Sequence, residues 1–252
     1  MNTQNLVSIV TPCYNGEKTI QDTILSVLNQ TYTHWELLII DDCSTDSSEI
    51  LIHNFSSKDS RIKYLKTNLP SGSPTLPRNI GIENAKGRFI AFLDCDDIWL
   101  PTKLEEQIPF FNDSHTAIVF SNYEKITENG KRNNRIIIAP KQATYKQLLK
   151  ENIIGCLTAI YDTQKIGKVY FSKIGHEDYA MWLSILKKGY IAKNTNSKLA
   201  LYRVNKHSTS SNKIKAFKWT WYIYRDVEHL PLYKSIYYFI NYAFRAGYKF
   251  LK

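Results

Sequence analysis

Residues 88–101 read RFIAFLDCDDIWLP. The run RFIAFL is apolar without alternation, the pattern of a strand covered on both faces of a sheet. Three carboxylates, Asp94, Asp96 and Asp97, follow it at once. Acids clustered at the end of a buried strand repel one another and lose hydration, so they call for a compensating charge. Either a cation or ligand supplies it, or the acids sit in an exposed turn. The same question arises upstream, where WELLIIDD (35–42) is a second apolar strand ending in acids.

The segments around these two runs predict the fold. LVSIVT (6–11) is a β-branched strand ending in the turn PCYNG, and RIKYLKT (61–67) is a third strand. Between them, EKTIQDTILSVLNQ places Ile20, Ile24, Val27 and Leu28 on one helical face. CSTDSSEILIHNF offers Ser44 and Asp46 as caps of a second helix. A Pro/Gly/Ser loop then closes with a short helix over 79–84. Strand and helix in alternation predict an α/β fold with a mostly parallel central sheet flanked by helices. Ligands bind such sheets at the carboxyl ends of the strands, so Tyr14, Asp42, Asp94 and Asp96 should converge on one rim.

Beyond Pro101 the order loosens. KLEEQIPFF reads as a helix, TAIVFSNY and RIIIAP as strands, YKQLLKEN as a helix and CLTAIY as a strand. HEDYAMWLSILKKGY is a helix with Met181, Ile185 and Leu186 inward, and LALYRV is the last strand. No repeat or low-complexity tract appears.

The chain has 252 residues, 43% hydrophobic and 22% charged, which excludes disordered and fibrous classes. The N-terminus lacks a signal-peptide pattern, and no run reaches the roughly 18 apolar residues of a membrane span. A protein of the cytoplasm, or held on a membrane surface, is expected. Cys13, Cys43, Cys95 and Cys156 form no CxxC pair, and reduced, partly buried thiols are expected. The formal charge is +10, and +6 of it falls in the last 40 residues, which also hold 13 of the 33 aromatics. That shift in composition sets a boundary at residue 213.

SIVTPCYNG, LLIIDDCSTDSS, FLDCDDIWLP and HEDYAMWLSILKKGY, in this order and spacing, resemble a bacterial family 2 glycosyltransferase of the inverting, GT-A-fold type. YRVNKHSTSSNK is similar to the segment that follows the last core strand in members acting on O-antigen, capsule or lipopolysaccharide sugars. The resemblance implies a nucleotide-sugar-binding half over 1–100, an acceptor-binding and catalytic half over 101–212, and a basic aromatic tail over 213–252. It implies a UDP-sugar donor carrying a hexose or N-acetylhexosamine, and a glycan or polyprenyl-diphosphate-linked sugar acceptor. Departure of the donor's diphosphate develops negative charge, which Mn²⁺ or Mg²⁺ on carboxylate oxygen would stabilise.

Residue by residue, the resemblance gives Asp96 to the metal and Asp94 to the ribose or sugar. Pro12 contributes backbone contacts, Tyr14 lies against uracil, and Asp42 accepts the uracil N–H. A buried acceptor matched to one ring donor discriminates strongly among bases. Arg78 pairs with phosphate through its planar fork. Asp178 is the base that deprotonates the acceptor hydroxyl, with Glu177 beside it. Trp182, one turn later, either stacks on an acceptor sugar or belongs to the core. Asp97 either orients its neighbours or caps a helix in IWLPTKLEEQ. Relatives carry a histidine two positions after the arginine of the YR segment. Here Asn205 stands in that place, and His207, with Lys213, is left as a residue of the lid or acceptor side.

Leu232 to Lys252, read as a helix, puts Lys234, Asn241, Arg245, Lys249 and Lys252 on one side and Ile236, Phe239, Ile240 and Ala243 on the other. Such an amphipathic helix either lies in a membrane interface or packs on the core. The interfacial reading places the protein peripherally on the cytoplasmic face of the inner membrane. Two other readings compete. A nucleotidyltransferase needs a glycine-rich basic loop, which TPCYNGEKT is not. A nucleic-acid binder needs cations near the site, but they are concentrated in the tail, so no nucleic-acid partner is expected.

Overall fold

A computed structural model describes residues 3–204 and 213–248. The first half alternates strand and helix: β1 (Val7–Cys13), α1 (Ile20–Leu28), β2 (Trp35–Asp41), α2 (Ser48–Ser56), β3 (Ile62–Lys66), α3 (Thr75–Asn84) and β4 (Phe89–Phe92). There follow β5 (Ile98–Trp99), α4 (Lys103–Gln107), β6 (Thr116–Ile126), β7 (Arg132–Ile137), β8 (Gln142–Ala143) and α5 (Tyr145–Leu148). The chain goes on through β9 (Ile160–Asp162), α6 (Thr163–Ile166), α7 (Glu177–Leu186) and β10 (Ile191–Arg203). Helices α8 (Lys213–Tyr222) and α9 (Leu232–Tyr248) come last, joined in part by a π-helical turn over Ile223–Val227.

All strands join one sheet in the order β3-β2-β1-β4-β9-β6-β10-β5, with β7 on β6 and β8 on β10. The first four pair in parallel, as the unbroken apolar runs predict. Beyond β4 the sheet is mixed: β9 runs antiparallel to both β4 and β6, while β6 and β10 are parallel.

Strand alternation divides the core into two layers. Val7, Ile9, Leu37 and Ile39 face α1 through Ile20, Ile24 and Val27. Val10, Leu38 and Ile40 face the other layer, with Ile82 of α3 and most of α7. Gly81 lets α3 lie directly on the sheet, since a Cβ there would come within 2.3 Å of Val10 Cγ1 and 2.9 Å of Ile40 Cδ1.

Four local expectations are corrected. Helix α3 begins at Thr75 rather than Asn79; Pro77 falls in its first turn, where a missing N–H costs no helical bond. Within CLTAIY only Ile160 and Tyr161 are strand, the start of β9, and Cys156–Thr158 is a 3₁₀ turn. Asp97 caps no helix: β5 follows it, and α4 starts after Thr102. The last strand is longer than LALYRV, because β10 bulges past Asn194 and Lys198 and so accommodates its polar residues.

The segment from Lys213 onward packs on the second half. Ile223 and Tyr224 are fully buried, and the Tyr224 hydroxyl donates to the Leu149 carbonyl and lies 3.4 Å from the Tyr179 hydroxyl. Tyr145 donates to Glu228 at 2.6 Å, and Lys187 pairs with the same carboxylate at 3.0 Å. Among the described residues no helix is long and apolar enough to cross a membrane.

Candidate active site

The carboxyl ends of β1, β2 and β4 open into a cavity of about 1070 Å³. Pro12, Tyr14, Asp42, Asp94 and Asp96 all line it, as expected of one rim. The loops after β1 and β2 are stitched together beneath it. Asn15 takes a left-handed backbone (φ 49°), its side-chain oxygen accepts from Thr45 N at 2.8 Å, and its own N–H donates to Ser44 Oγ at 2.9 Å. Asp46, not Ser44, serves the start of α2: its carboxylate accepts from Ser48 N at 3.0 Å and from Glu17 N at 3.0 Å.

Asp41 and Asp42 divide their work. Asp41 is fully buried and holds its own turn, accepting from Ser44 N at 3.0 Å and from the Tyr64 hydroxyl at 3.1 Å. Asp42 turns to the cavity and is oriented by the following loop. Thr67 Oγ1 donates to it at 2.9 Å, Ser71 N at 2.9 and 3.1 Å, and Ser71 Oγ at 2.8 Å. These contacts come from three donors, the Ser71 N–H being shared between the two oxygens, so of the roughly four acceptor positions of a carboxylate one is left for a ligand N–H. Tyr14 stands at the mouth, 57% exposed, with its ring face available for stacking.

The acidic loop after β4 is fixed from β10. Arg203 N donates to Asp97 Oδ1 at 2.9 Å, Arg203 Nε to the Asp96 carbonyl at 2.7 Å, and Arg203 Nη1 to the Glu128 carbonyl at 2.8 Å. From the other side Thr23 Oγ1 donates to the Asp97 carbonyl at 2.9 Å. Burial, reinforced by Asp96 and Asp94, pushes the Asp97 carboxyl well above the ordinary range, while the Arg203 N–H and charge pull it back. Asp97 is therefore the inward anchor of the loop and leaves Asp94 and Asp96 on the cavity wall. Arg203 lines the same cavity and is the residue that sequence reasoning passed over, although YR after an apolar strand marked it.

Asp94 and Asp96 set the fit of a divalent cation. Among the described residues no group of three or more His, Cys, Asp or Glu stands ready to hold a metal. Two carboxylates on a cavity wall suit a hard cation that arrives with diphosphate oxygens and water completing its shell, as Mg²⁺ commonly does. Asp96 would hold it.

The other side of the site is built from Arg78 of α3 and from Glu177 and Asp178 of α7. Arg78 is 4% exposed and reaches two carboxylates, Asp94 at 2.7 Å and Glu177 at 2.9 Å. The phosphate fork expected of Arg78 is here a buried bridge between the acidic loop and the head of α7. Burial opposes its charge, but Asp94 and Glu177 raise its pKa all the same. Its Nε is buried without a partner. Glu177 and Asp178 open α7, where the macrodipole favours acids. Burial raises the pKa of both; for Asp178 the Tyr179 N–H (2.7 Å), Arg78 and the Asn152 side chain act in the opposite direction. Asn152 is a second partner that sequence reasoning missed.

Trp182 is corrected. It is fully buried, 6.1 Å from the Phe92 ring, and so belongs to the core rather than to an acceptor surface. His207 lies outside the described residues, and Lys213 is described only as the first residue of α8. All four cysteines are free; the Cys13 and Cys95 thiols both lie against Gly16, 3.1 Å from where a Cβ would stand.

A sequence model of the family described as "Glycosyl transferase family 2" matches residues 8–166. TuaG of Bacillus subtilis, a glycosyltransferase named for teichuronic acid biosynthesis, is 42% identical over 97% of both chains. WfgD of Escherichia coli, named a UDP-Glc:α-D-GlcNAc-diphosphoundecaprenol β-1,3-glucosyltransferase, is 44% identical, over 94% of this chain and 92% of its own. Among solved structures, S. aureus TarS 1-349 in complex with UDP-GlcNAc shares the fold with a TM-score of 0.73 at 18% identity, covering 95% of this chain and 72% of that one.

Proposed function

The chain belongs to glycosyl transferase family 2 and has the GT-A fold, and on that premise we propose that it moves a hexose, glucose first, from a UDP-sugar to a sugar hydroxyl on a polyprenyl-diphosphate-linked acceptor, with inversion. The observation that carries this reading is the bridge Asp94–Arg78–Glu177, which joins the wall of the donor cavity to the turn bearing Asp178. The donor's departing group and the acceptor's base would thus be set on one rigid network. The names of WfgD and TuaG support a lipid-linked acceptor and a role in surface polysaccharide synthesis.

In this reading Tyr14 stacks on uracil and Asp42, held by Thr67 and Ser71, accepts its ring N–H. Asp94 meets the ribose or the sugar. Mn²⁺ or Mg²⁺ held by Asp96 would supply charge stabilisation to the departing diphosphate. Asp178 takes the proton of the acceptor hydroxyl as that oxygen attacks the anomeric carbon from the side opposite the diphosphate. A single displacement converts an α-linked donor into a β-linked product.

The test is UDP release from a panel of UDP-sugars, with a short-lipid GlcNAc-diphosphate acceptor and Mn²⁺ or Mg²⁺. Release should depend on the cation, be lost with chelator, and fall about 10²-fold or more in Asp96→Asn, the order of one lost charge-stabilising contact. Release that needs neither metal nor acceptor would refute the assignment.

Membrane attachment is part of the proposal. Tyr233, Ile236, Tyr237, Ile240 and Phe244 of α9 are exposed. At 100° per residue they fall in one arc about 100° wide. Phe239, expected among them, instead meets Phe217 and Trp221 on the packed side. Exposed Lys234 and Arg245 lie along one edge of the stripe, Arg245 at 3.3 Å from Glu151. An apolar stripe bordered by cations suits an anionic bilayer surface, where a lipid-linked acceptor resides. The full chain should sediment with phosphatidylglycerol-containing vesicles, and Ile240→Glu with Phe244→Glu should weaken this about tenfold or more, since each buried side chain contributes about 1.5–3 kcal/mol. Equal sedimentation of the double variant would sink the attachment.

A further inference from the structure

Helix α8 touches the head of α7 at one tight point. A Cβ on Gly175 would lie 2.0 Å from Trp219 Cδ2 and 2.2 Å from Cγ, so only glycine admits the indole at that distance. The next residue, His176, is left-handed (φ 57°), a conformation uncommon for any residue with a side chain. Its ring stands edge-on to Trp219 at 5.3 Å, and its Nε2 is buried without a partner. The His176 carbonyl then accepts from Ala180 N at 3.1 Å and starts α7. Glu177 and Asp178 follow immediately.

Helix α8, which carries the indole, is itself braced. Tyr224, just beyond α8, is buried against Leu149 and Tyr179, and Phe217 and Trp221 meet Phe239 of α9 at 5.8 and 5.3 Å. Trp219 is thus a fixed wall on which the Gly175–His176 turn rests, and none of the roles assigned above uses it.

We propose that Trp219 is a positioning residue of the reaction centre: through the Gly175–His176 turn it sets Glu177 against Arg78 and presents Asp178 to the acceptor. The inference rests on the transferase reading for its kinetic consequence, and on geometry alone for the turn. Trp219→Ala frees the turn without touching the donor cavity. Trp219→Phe keeps a ring against the glycine. Gly175→Ala displaces the same contact from the other side, and Trp219→Ala makes room for that methyl.

The experiment joins hydrogen exchange over 174–186, UDP binding by calorimetry and steady-state kinetics, all on the full chain. In Trp219→Ala and in Gly175→Ala, amides 176–180 should exchange about tenfold faster and kcat should fall about tenfold, within the 10²-fold that a 1 Å misplacement costs. Donor KM and UDP affinity should stay within about twofold, because donor contacts are made elsewhere. Trp219→Phe should restore most of both losses, and the double variant should be no worse than either single one, the signature of a shared contact. Wild-type exchange and kcat in Trp219→Ala would overturn the proposal, as would uniform loosening of the whole sheet. If the wild-type chain transfers no sugar, the functional reading fails, and exchange at the turn decides the clamp by itself.

Discussion

Asp178→Asn is expected to lower kcat about 10³-fold, within the 10²–10⁴ that a positioned base supplies, while UDP binding is retained. Asparagine keeps the shape and an oxygen for the Tyr179 N–H, but it cannot take a proton. The pH dependence follows from the environment. Burial raises the Asp178 pKa above the ordinary carboxylate value of about 3.9, against the pull of Tyr179 N–H, Arg78 and Asn152. The base works only when ionised, so the wild-type rate should climb with pH through that raised value and the variant should lose this limb. Stability moves the other way. A carboxyl whose folded pKa is raised gives its full stabilisation below the unfolded pKa, about 3.9, and loses it as pH rises through the folded one. Near neutrality the ionised, desolvated Asp178 therefore weakens the fold, and the asparagine variant should melt higher, by about 2–4 °C for each kcal/mol relieved. Initial rates across pH, paired with thermal melts near pH 5 and pH 8, check both signs. A variant that keeps its rate, or melts lower at pH 8, would remove Asp178 from the role of base.

The donor half was legible in the sequence because its physics is local. Unbroken apolar runs ending in PCYNG, DD and DCDD specify covered parallel strands with acids at their carboxyl ends, and such ends meet on one rim whatever the loops do. The second half was less so. CLTAIY carries no signal that separates a 3₁₀ turn from a strand, and the antiparallel insertion of β9 between β4 and β6 depends on long-range pairing. Asp97 misled for a related reason. An acid before IWLPTKLEEQ fits a helix cap, and only β10, 106 residues later, supplies the N–H that claims it. Trp182 was equally compatible with a sugar platform and with the core; its full burial beside the Phe92 ring of β4 decides for the core. Arg78 shows what sequence spacing hides. Its motif pointed to the nucleotide, yet its partner Glu177 lies 99 residues away.

That bridge yields the second large expectation. Arg78→Met keeps length and apolar contact but leaves Asp94 and Glu177 facing each other without the buried cation. Removing one partner of a buried pair costs about 3–5 kcal/mol. Here the carboxylate side chains retain 35% and 22% exposure, so solvent screening lowers the expected cost to about 2 kcal/mol. That corresponds to a fall of roughly 4–8 °C in melting temperature for a chain of this size. Transfer should fall about 10²-fold or more, since the acidic loop and the base lose their common reference. The deficit should itself depend on pH. Burial already raises the Glu177 pKa and Arg78 restrains it. Without the guanidinium the folded pKa climbs further, and the stability lost on ionisation grows as pH rises through it. The variant should therefore lag wild type more at pH 8 than at pH 5. Adding Glu177→Gln should recover part of the stability by removing one stranded charge, a coupling that a double-mutant cycle reads directly. Arg78→Lys should fall between, because a single ammonium lacks the fork that spans both carboxylates. If Arg78→Met melts and transfers like wild type, the two halves of the site are not held together by this ion pair, and their alignment must come from the packing of α3 against the sheet alone.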